Sequence, residues 1–177
     1  MYELTTDGKG TPLLGRRCLR GFSLVEMMIV VVVLAIVALL AVPGETRREA
    51  TQVQAAAKLL LADLDYACIA SLGNGVDPCV VVFDEDGEGY RLASSLDAAT
   101  PLTDPATGQP YQVRFGEGRA GALTRVRLTA VDTDDNQLVY NPMGGLESAG
   151  DASVTLTCGS SSLTLTIRAS TGQAIIE

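Results

Sequence analysis

The feature that most restricts this chain is an unbroken apolar run, Met27 to Val42, entered through a single carboxylate at Glu26. Counted from Phe22, the stretch is 21 residues long, and only Ser23 and Glu26 in it are polar. As a helix it reaches about 31 Å, close to the roughly 30 Å of a bilayer's hydrocarbon core. Five β-branched residues, Ile29 to Val33, would favour a strand in water. In lipid the backbone must bond to itself, so a helix is expected. Met1 to Gly21 carries four basic and two acidic side chains, a net +2, whereas the remaining 156 residues carry nine and nineteen, a net −10. Arg16, Arg17 and Arg20 should hold the N-terminus in the cytoplasm and send the acidic body across.

Composition then removes chemistry. The chain has no histidine, which excludes His-ligated zinc and the Ser-His-Asp and Cys-His mechanisms. No catalytic residue, cofactor or metal is expected. A net charge of −8 opposes nucleic-acid binding, which needs Lys and Arg against phosphate. Leu39-Leu40-Ala41 is a poor signal-peptidase site because Leu39 is not small, so the run should stay in the product. A plain anchor leaves Glu26 unexplained, since a carboxylate in an apolar segment is costly and points to function. The bland alternative puts Glu26 at the interface, within reach of Arg20.

Arg20-Gly21-Phe22-Ser23-Leu24-Val25-Glu26, followed at once by the apolar run, resembles the class III signal of type IV pilins and type II secretion pseudopilins. The resemblance implies cleavage by a prepilin peptidase between Gly21 and Phe22, N-methylation of Phe22, and retention of the apolar helix. Glu26 then matches the family's glutamate at the fifth mature residue, and Pro43 the proline that follows the run. The 21-residue leader is longer than many in the family. Cleavage would leave a cationic amine on Phe22, and a Glu26 carboxylate from a neighbouring helix would neutralise it in a filament core, where either charge alone is expensive.

Beyond the run, Pro43-Gly44 should bend or interrupt the helix. A helical pattern resumes from about Glu45 to Leu72, with Val53, Ala57, Leu60, Leu61, Leu64 and Cys68 on one stripe and Lys58, Asp63 and Asp65 off it. Gly73-Asn74-Gly75 ends it. Strands follow: a hairpin of Val80 to Phe83 and Tyr90 to Ala93 around an acidic turn, four segments alternating with period two, Tyr111 to Phe115, Val126 to Ala130, Val154 to Cys158 and Leu163 to Ile167, and a last strand, Gln173 to Ile176. Ser94 to Pro110, with three prolines, reads as a surface loop. The expected class is α+β: a long N-terminal helix, membrane half plus amphipathic half, packed on an antiparallel β-sandwich head. The parts are a leader over 1–21, a transmembrane and filament-core helix over 22–42, the amphipathic half over 43–73, and the head over 74–177. Asn141-Pro142-Met143-Gly144-Gly145 and the final Ile167 to Gly172 hairpin resemble the GspH/FimT type within the superfamily.

Gly116-Glu117-Gly118-Arg119-Ala120-Gly121 fits a dinucleotide fingerprint, but the alternation after it denies the required helix. Asp132 to Asn136 offers calcium-loop oxygens, yet Gln137 and Met143 stand where Gly and Glu are needed. A solvated turn is expected there, and another at Asp84 to Glu88. Arg114, Arg119, Arg125 and Arg127 form a basic patch on an acidic head, more simply a solvated or subunit-contacting face than a DNA strand's seat. Cys18 would leave with the leader. Cys68, Cys79 and Cys158 would reach an oxidising compartment, where a Cys68–Cys79 bridge is favoured and a Cys68–Cys158 bridge stays open.

The resemblance implies an inner-membrane, single-pass minor pseudopilin of a type II secretion system. Its partners would be the prepilin peptidase, other major and minor pseudopilins and secreted cargo. A minor type IV pilin serving adhesion, motility or DNA uptake is the alternative, and a bitopic protein with an unrelated head is a third.

Overall fold

The computed structural model describes residues 22–41 and 45–177. Contacts divide the chain between Val42 and Pro43. The first unit holds one helix, α1, Leu24–Ala41. Ser23 begins it: the Val25 N–H donates to Ser23 Oγ at 3.3 Å and the Met27 N–H to Ser23 O at 3.1 Å, an N-cap arrangement. The β-branched run Ile29–Val33 is helical, so the continuous apolar sequence has overridden local strand preference. Every large apolar side chain described on α1 is exposed, from Val30 at 43% to Leu24 at 77%. Among the described residues no helix is long and apolar enough to cross a membrane. The 18 helical residues of α1 give about 27 Å, a little short of a roughly 30 Å core.

The second unit is built around α2, Glu45–Ser71. Its inward face is Val53, Ala56, Ala57, Leu60, Leu64 and Ala67, all buried, a run of three- and four-residue spacings. The small side chains of Ala56, Ala57 and Ala67 on that face let strands approach closely. The expected stripe is there, but Asp63 belongs to the buried face and not to the solvent side assigned from sequence. Ser71 closes the helix: its hydroxyl bonds Ala67 O at 2.9 Å and receives the Cys79 N–H at 2.8 Å, tying the helix end to the first strand.

Among the described residues nine strands make two antiparallel sheets. In the first, β1 (Cys79–Phe83) lies between β2 (Gly89–Ser94) and β6 (Gln137–Val139), and β2 also pairs with β3 (Asp97–Pro101) and β4 (Gln112–Arg114). The second runs β5 (Arg127–Asp132), β7 (Ala152–Cys158), β8 (Ser161–Ile167), β9 (Ala174–Ile176). All five residues of β1 are buried, as expected of a central strand covered on both faces. One core joins α2 to both sheets, with Leu60, Leu64, Tyr90, Leu92, Val113, Leu156, Leu165 and Ile167 at its centre.

The hairpin expected over Val80–Ala93 is present in register, with Phe83 opposite Tyr90. Two strands escaped the sequence reading. β3 lies inside the segment expected to be a loop, reached through a register shift at Ala93/Ser94; its sequence, Asp-Ala-Ala-Thr-Pro, has neither alternation nor β propensity, and Pro101 is tolerated because β3 is an edge. β6 has three residues, too few to show a period.

Candidate functional site: the Glu26 helix start and the polar clamp of the head

Glu26 stands in the first turn of α1, where a carboxylate complements the partial positive charge of the helix start. Ser23-Leu24-Val25-Glu26 also has the spacing of a capping box, in which the glutamate would bond back to the Ser23 N–H. Only the serine half forms. Among the described residues Glu26 has no hydrogen bond or ion pair and is exposed. Phe22 is likewise exposed. Gly21, Cys18 and Pro43 lie outside the described residues, so the expected cleavage site and helix bend have no structural counterpart here.

The head holds a second carboxylate with the opposite circumstances. Asp63 is 3% exposed and accepts from Tyr90 Oη at 2.5 Å, Tyr111 Oη at 3.0 Å and Arg119 Nη2 at 2.5 Å. Arg119 also lies over the Tyr111 ring at 4.8 Å, and Tyr111 stacks on Tyr66 at 5.2 Å. Burial raises the Asp63 pKa above its ordinary value, outweighing the opposing pull of Tyr90, Arg119 and Tyr111. Burial also raises the Tyr90 hydroxyl well above a free tyrosine's, with the Asp63 charge adding to it. The arrangement therefore locks α2 to β2, to the chain entering β4, and to the Gly118–Ala120 turn. Sequence reasoning missed it because Asp63 looks like an ordinary polar residue. The available signal was an apolar neighbour on either side, Ala62 and Leu64, at a position that completes the stripe between Leu60 and Ala67.

The Gly116–Gly121 segment is a turn with a short 3-10 helix, Gly118–Ala120, before β5, so the fingerprint is a loop as expected. Its role is to carry Arg119.

The arginine patch changes character. Arg114 pairs with Asp86 and Glu88, both at 2.8 Å, Arg127 pairs with Glu88 at 3.0 Å, and Arg119 pairs with Asp63. Of the four arginines, only Arg125 is without a carboxylate partner among the described residues. The acidic turn expected to be merely solvated is the counter-charge. It also joins the sheets: the Leu128 N–H donates to Gly87 O at 2.9 Å. Gly87 has φ +67, and a Cβ there would stand 2.4 Å from Leu128 O, so the close approach requires glycine.

The two distal segments that carry the GspH/FimT resemblance touch. Asn141 Oδ1 accepts the Met143 and Gly145 N–H groups at 2.9 and 3.1 Å, its amide donates to Leu146 O at 3.1 Å, and the Leu146 N–H donates to Ala169 O at 2.8 Å. Gly172, at φ +63, leaves room for Gly144 O, which would be 2.0 Å from any Cβ.

The favoured disulfide is not formed. Cys68, Cys79 and Cys158 are free thiols. Cys68 donates to Gly144 O at 3.2 Å and Cys158 to Gln52 Oε1 at 3.4 Å. Burial pushes the Cys79 thiol up to about 11 and raises the other two. All three therefore stay protonated and unreactive near neutrality.

A cavity of about 570 Å³ is bordered by Asp132, Asp135, Glu147 and Asp151. Among the described residues no cluster of three acidic or cysteine side chains is placed to hold a metal ion.

Residues 16–42 match the family described as the prokaryotic N-terminal methylation motif. No curated protein matches significantly. Among solved structures, the type IV minor pilin FimU of Pseudomonas aeruginosa is similar at 16% identity with a TM-score of 0.50, over 72% of this chain and 89% of that one. A second crystal form of FimU aligns over 70% and 91%, with a TM-score of 0.48 and the same 16% identity. At this identity the likeness concerns the fold. The chain thus joins a prokaryotic N-terminal methylation motif, leading into the apolar helix, to a head with the fold of a type IV minor pilin, the combination expected of the type IV pilin and pseudopilin superfamily.

Proposed function

We propose that the chain is a minor filament subunit, stored in the inner membrane through Phe22–Val42 with its head on the far side, and drawn from there into a pilus-like fibre. Prepilin peptidase cuts between Gly21 and Phe22 and methylates Phe22, and the apolar helix then packs among the helices of other subunits. The observation that carries this reading is Glu26, a carboxylate without a partner among the described residues, at the start of a helix that is apolar on every side. In a bundle of such helices it meets the Phe22 amine of a neighbour, and each neutralises a charge that would be costly alone. The pair fixes register. Its role is assembly, not catalysis.

The fibre we favour is the pseudopilus of a type II secretion system, with the head facing other minor pseudopilins and cargo. A type IV pilus is the second reading, supported by the fold shared with a type IV minor pilin. DNA binding by the arginine patch is disfavoured by its internal ion pairs.

N-terminal peptide mass spectrometry on the protein from host membranes tests the processing step. The expected peptide begins at methylated Phe22; an intact Met1–Gly21 leader would reduce the chain to a bitopic anchor. Deleting the gene then separates the two fibres: loss of secreted proteins with twitching and DNA uptake intact indicates the pseudopilus, and the converse indicates the pilus.

A further inference from the structure

Past Gly21 the chain has nine basic side chains. Arg91, Arg114, Arg119 and Arg127 are consumed in ion pairs within the head. Of the others, Arg48 and Arg125 meet in a cleft of about 140 Å³ that also involves Glu49, Gln52 and Cys158. Arg125 comes from the chain just before β5 and Arg48 from the first turn of α2, so only the fold unites them.

Three physical considerations make this an unfavourable place for cations unless an anion joins them. Arg47 and Arg48 occupy the N-terminal turn of a 27-residue helix, the end whose partial positive charge repels them. They follow the apolar run immediately on the exported side, against the usual placement of arginine. Among the described residues neither Arg48 nor Arg125 has a carboxylate partner. Glu49 does not fill that role: its Oε2 accepts from the Ser160 N–H at 3.0 Å and the Ser160 hydroxyl at 3.1 Å, which pins the β7–β8 turn to α2. Gln52 uses its Oε1 for Cys158, leaving its amide N–H₂ as a donor.

We propose that this cleft binds the headgroup phosphate of an anionic phospholipid in the leaflet facing the head, holding the stored subunit against the membrane before assembly. The inference rests on the membrane-stored reading above. Two guanidiniums and an amide suit a phosphodiester, and the cleft is too small for a folded partner. The tether is short: Arg48 stands six positions after Val42, at most about 21 Å of chain, so the cleft cannot lie far from the end of the apolar run. The head is otherwise strongly acidic and would be repelled by such a surface, which gives a local basic site a purpose.

The test is native mass spectrometry of the full-length chain in a neutral detergent with equal amounts of phosphatidylglycerol and phosphatidylcholine. Phosphatidylglycerol adducts should exceed phosphatidylcholine adducts by about tenfold, as expected for two basic residues near an anionic surface. R48Q/R125Q should bring the ratio close to one, while K58Q, on the exposed side of α2, should leave it unchanged. If the double variant misfolds by circular dichroism, R125Q alone should still lower the ratio. Equal retention of both lipids by the unsubstituted chain, or an unchanged ratio in a folded R48Q/R125Q or R125Q, overturns the proposal. So does loss of the preference in millimolar inorganic phosphate, which would mean a site for the free anion. Release of the chain from host membranes by alkaline wash would instead remove the membrane-stored reading, and is scored separately from the lipid ratio.

Discussion

The two helices of this chain each carry one informative carboxylate, and the pair differ in where their partners come from. Asp63 on α2 has three donors supplied by its own chain. Glu26 on α1 has none among the described residues. The surroundings follow the same division: α2 buries one face and exposes the other, whereas α1 exposes apolar side chains all round. A helix of the first kind is satisfied within a monomer. One of the second kind is stable only when lipid or other helices cover it, and its single charge acquires meaning only in that company.

The largest effect that would break this comparison is on assembly. Glu26→Gln should leave membrane insertion intact and reduce the subunit in sheared fibres by about tenfold or more, because an unpaired Phe22 amine would remain in an apolar core. Immunoblots of fibre and membrane fractions measure it, and equal incorporation would remove Glu26 from the assembly role. The head should melt at the same temperature in this variant, since its core is built from Val53 onward and draws nothing from α1.

Next in size is the core under α2. Leu60→Ala removes a fully buried side chain and should cost about 2–5 kcal/mol, read from thermal unfolding of the detergent-solubilised chain. A loss below that range would mean α2 is less firmly seated than its burial indicates.

The clamp comes third. Arg119→Met keeps the stem of the side chain but deletes the charge-assisted bond to Asp63, and the expected loss is about 1–3 kcal/mol, reduced by the partial exposure of the guanidinium. Hydrogen exchange should quicken in Gly116–Gly121 before anywhere else. Uniform change across the head would argue against a local clasp.

The smallest effect is on pH dependence. Burial raises the Asp63 pKa in the folded state above its unfolded value of 3.8, so the folded form binds this proton more tightly. The stability contributed by that proton is fully present below the unfolded value and is lost as pH rises through the raised folded one. Unfolding curves at successive pH values should therefore show a smaller decline for Asp63→Asn than for the unsubstituted chain across that interval. Parallel curves would mean Asp63 titrates normally.

Much of this was legible along the chain. The apolar run with Glu26, the end of α2 near Gly73 and the four alternating strands needed only local pattern, because each repeats or breaks it clearly enough to be seen. β3 and β6 were not legible: a strand of three residues or one of Asp, Ala and Thr is made by its neighbours' open hydrogen bonds, not by its own propensity. The same holds for the polar sites. Arg119 and Asp63 are 56 residues apart and Arg114 and Asp86 are 28 apart, and no local rule pairs them.

The sequence alone determined the chain's class and its apolar N-terminal helix, because lipid and aqueous solvation act on each residue where it stands. Tertiary structure decided which charges are already spent. It tied three of the four patch arginines into ion pairs, put Asp63 inside, left three cysteines as thiols, and gathered Arg48 and Arg125 into one cleft. Those outcomes depend on distances between residues far apart in sequence, which the chain's order does not record.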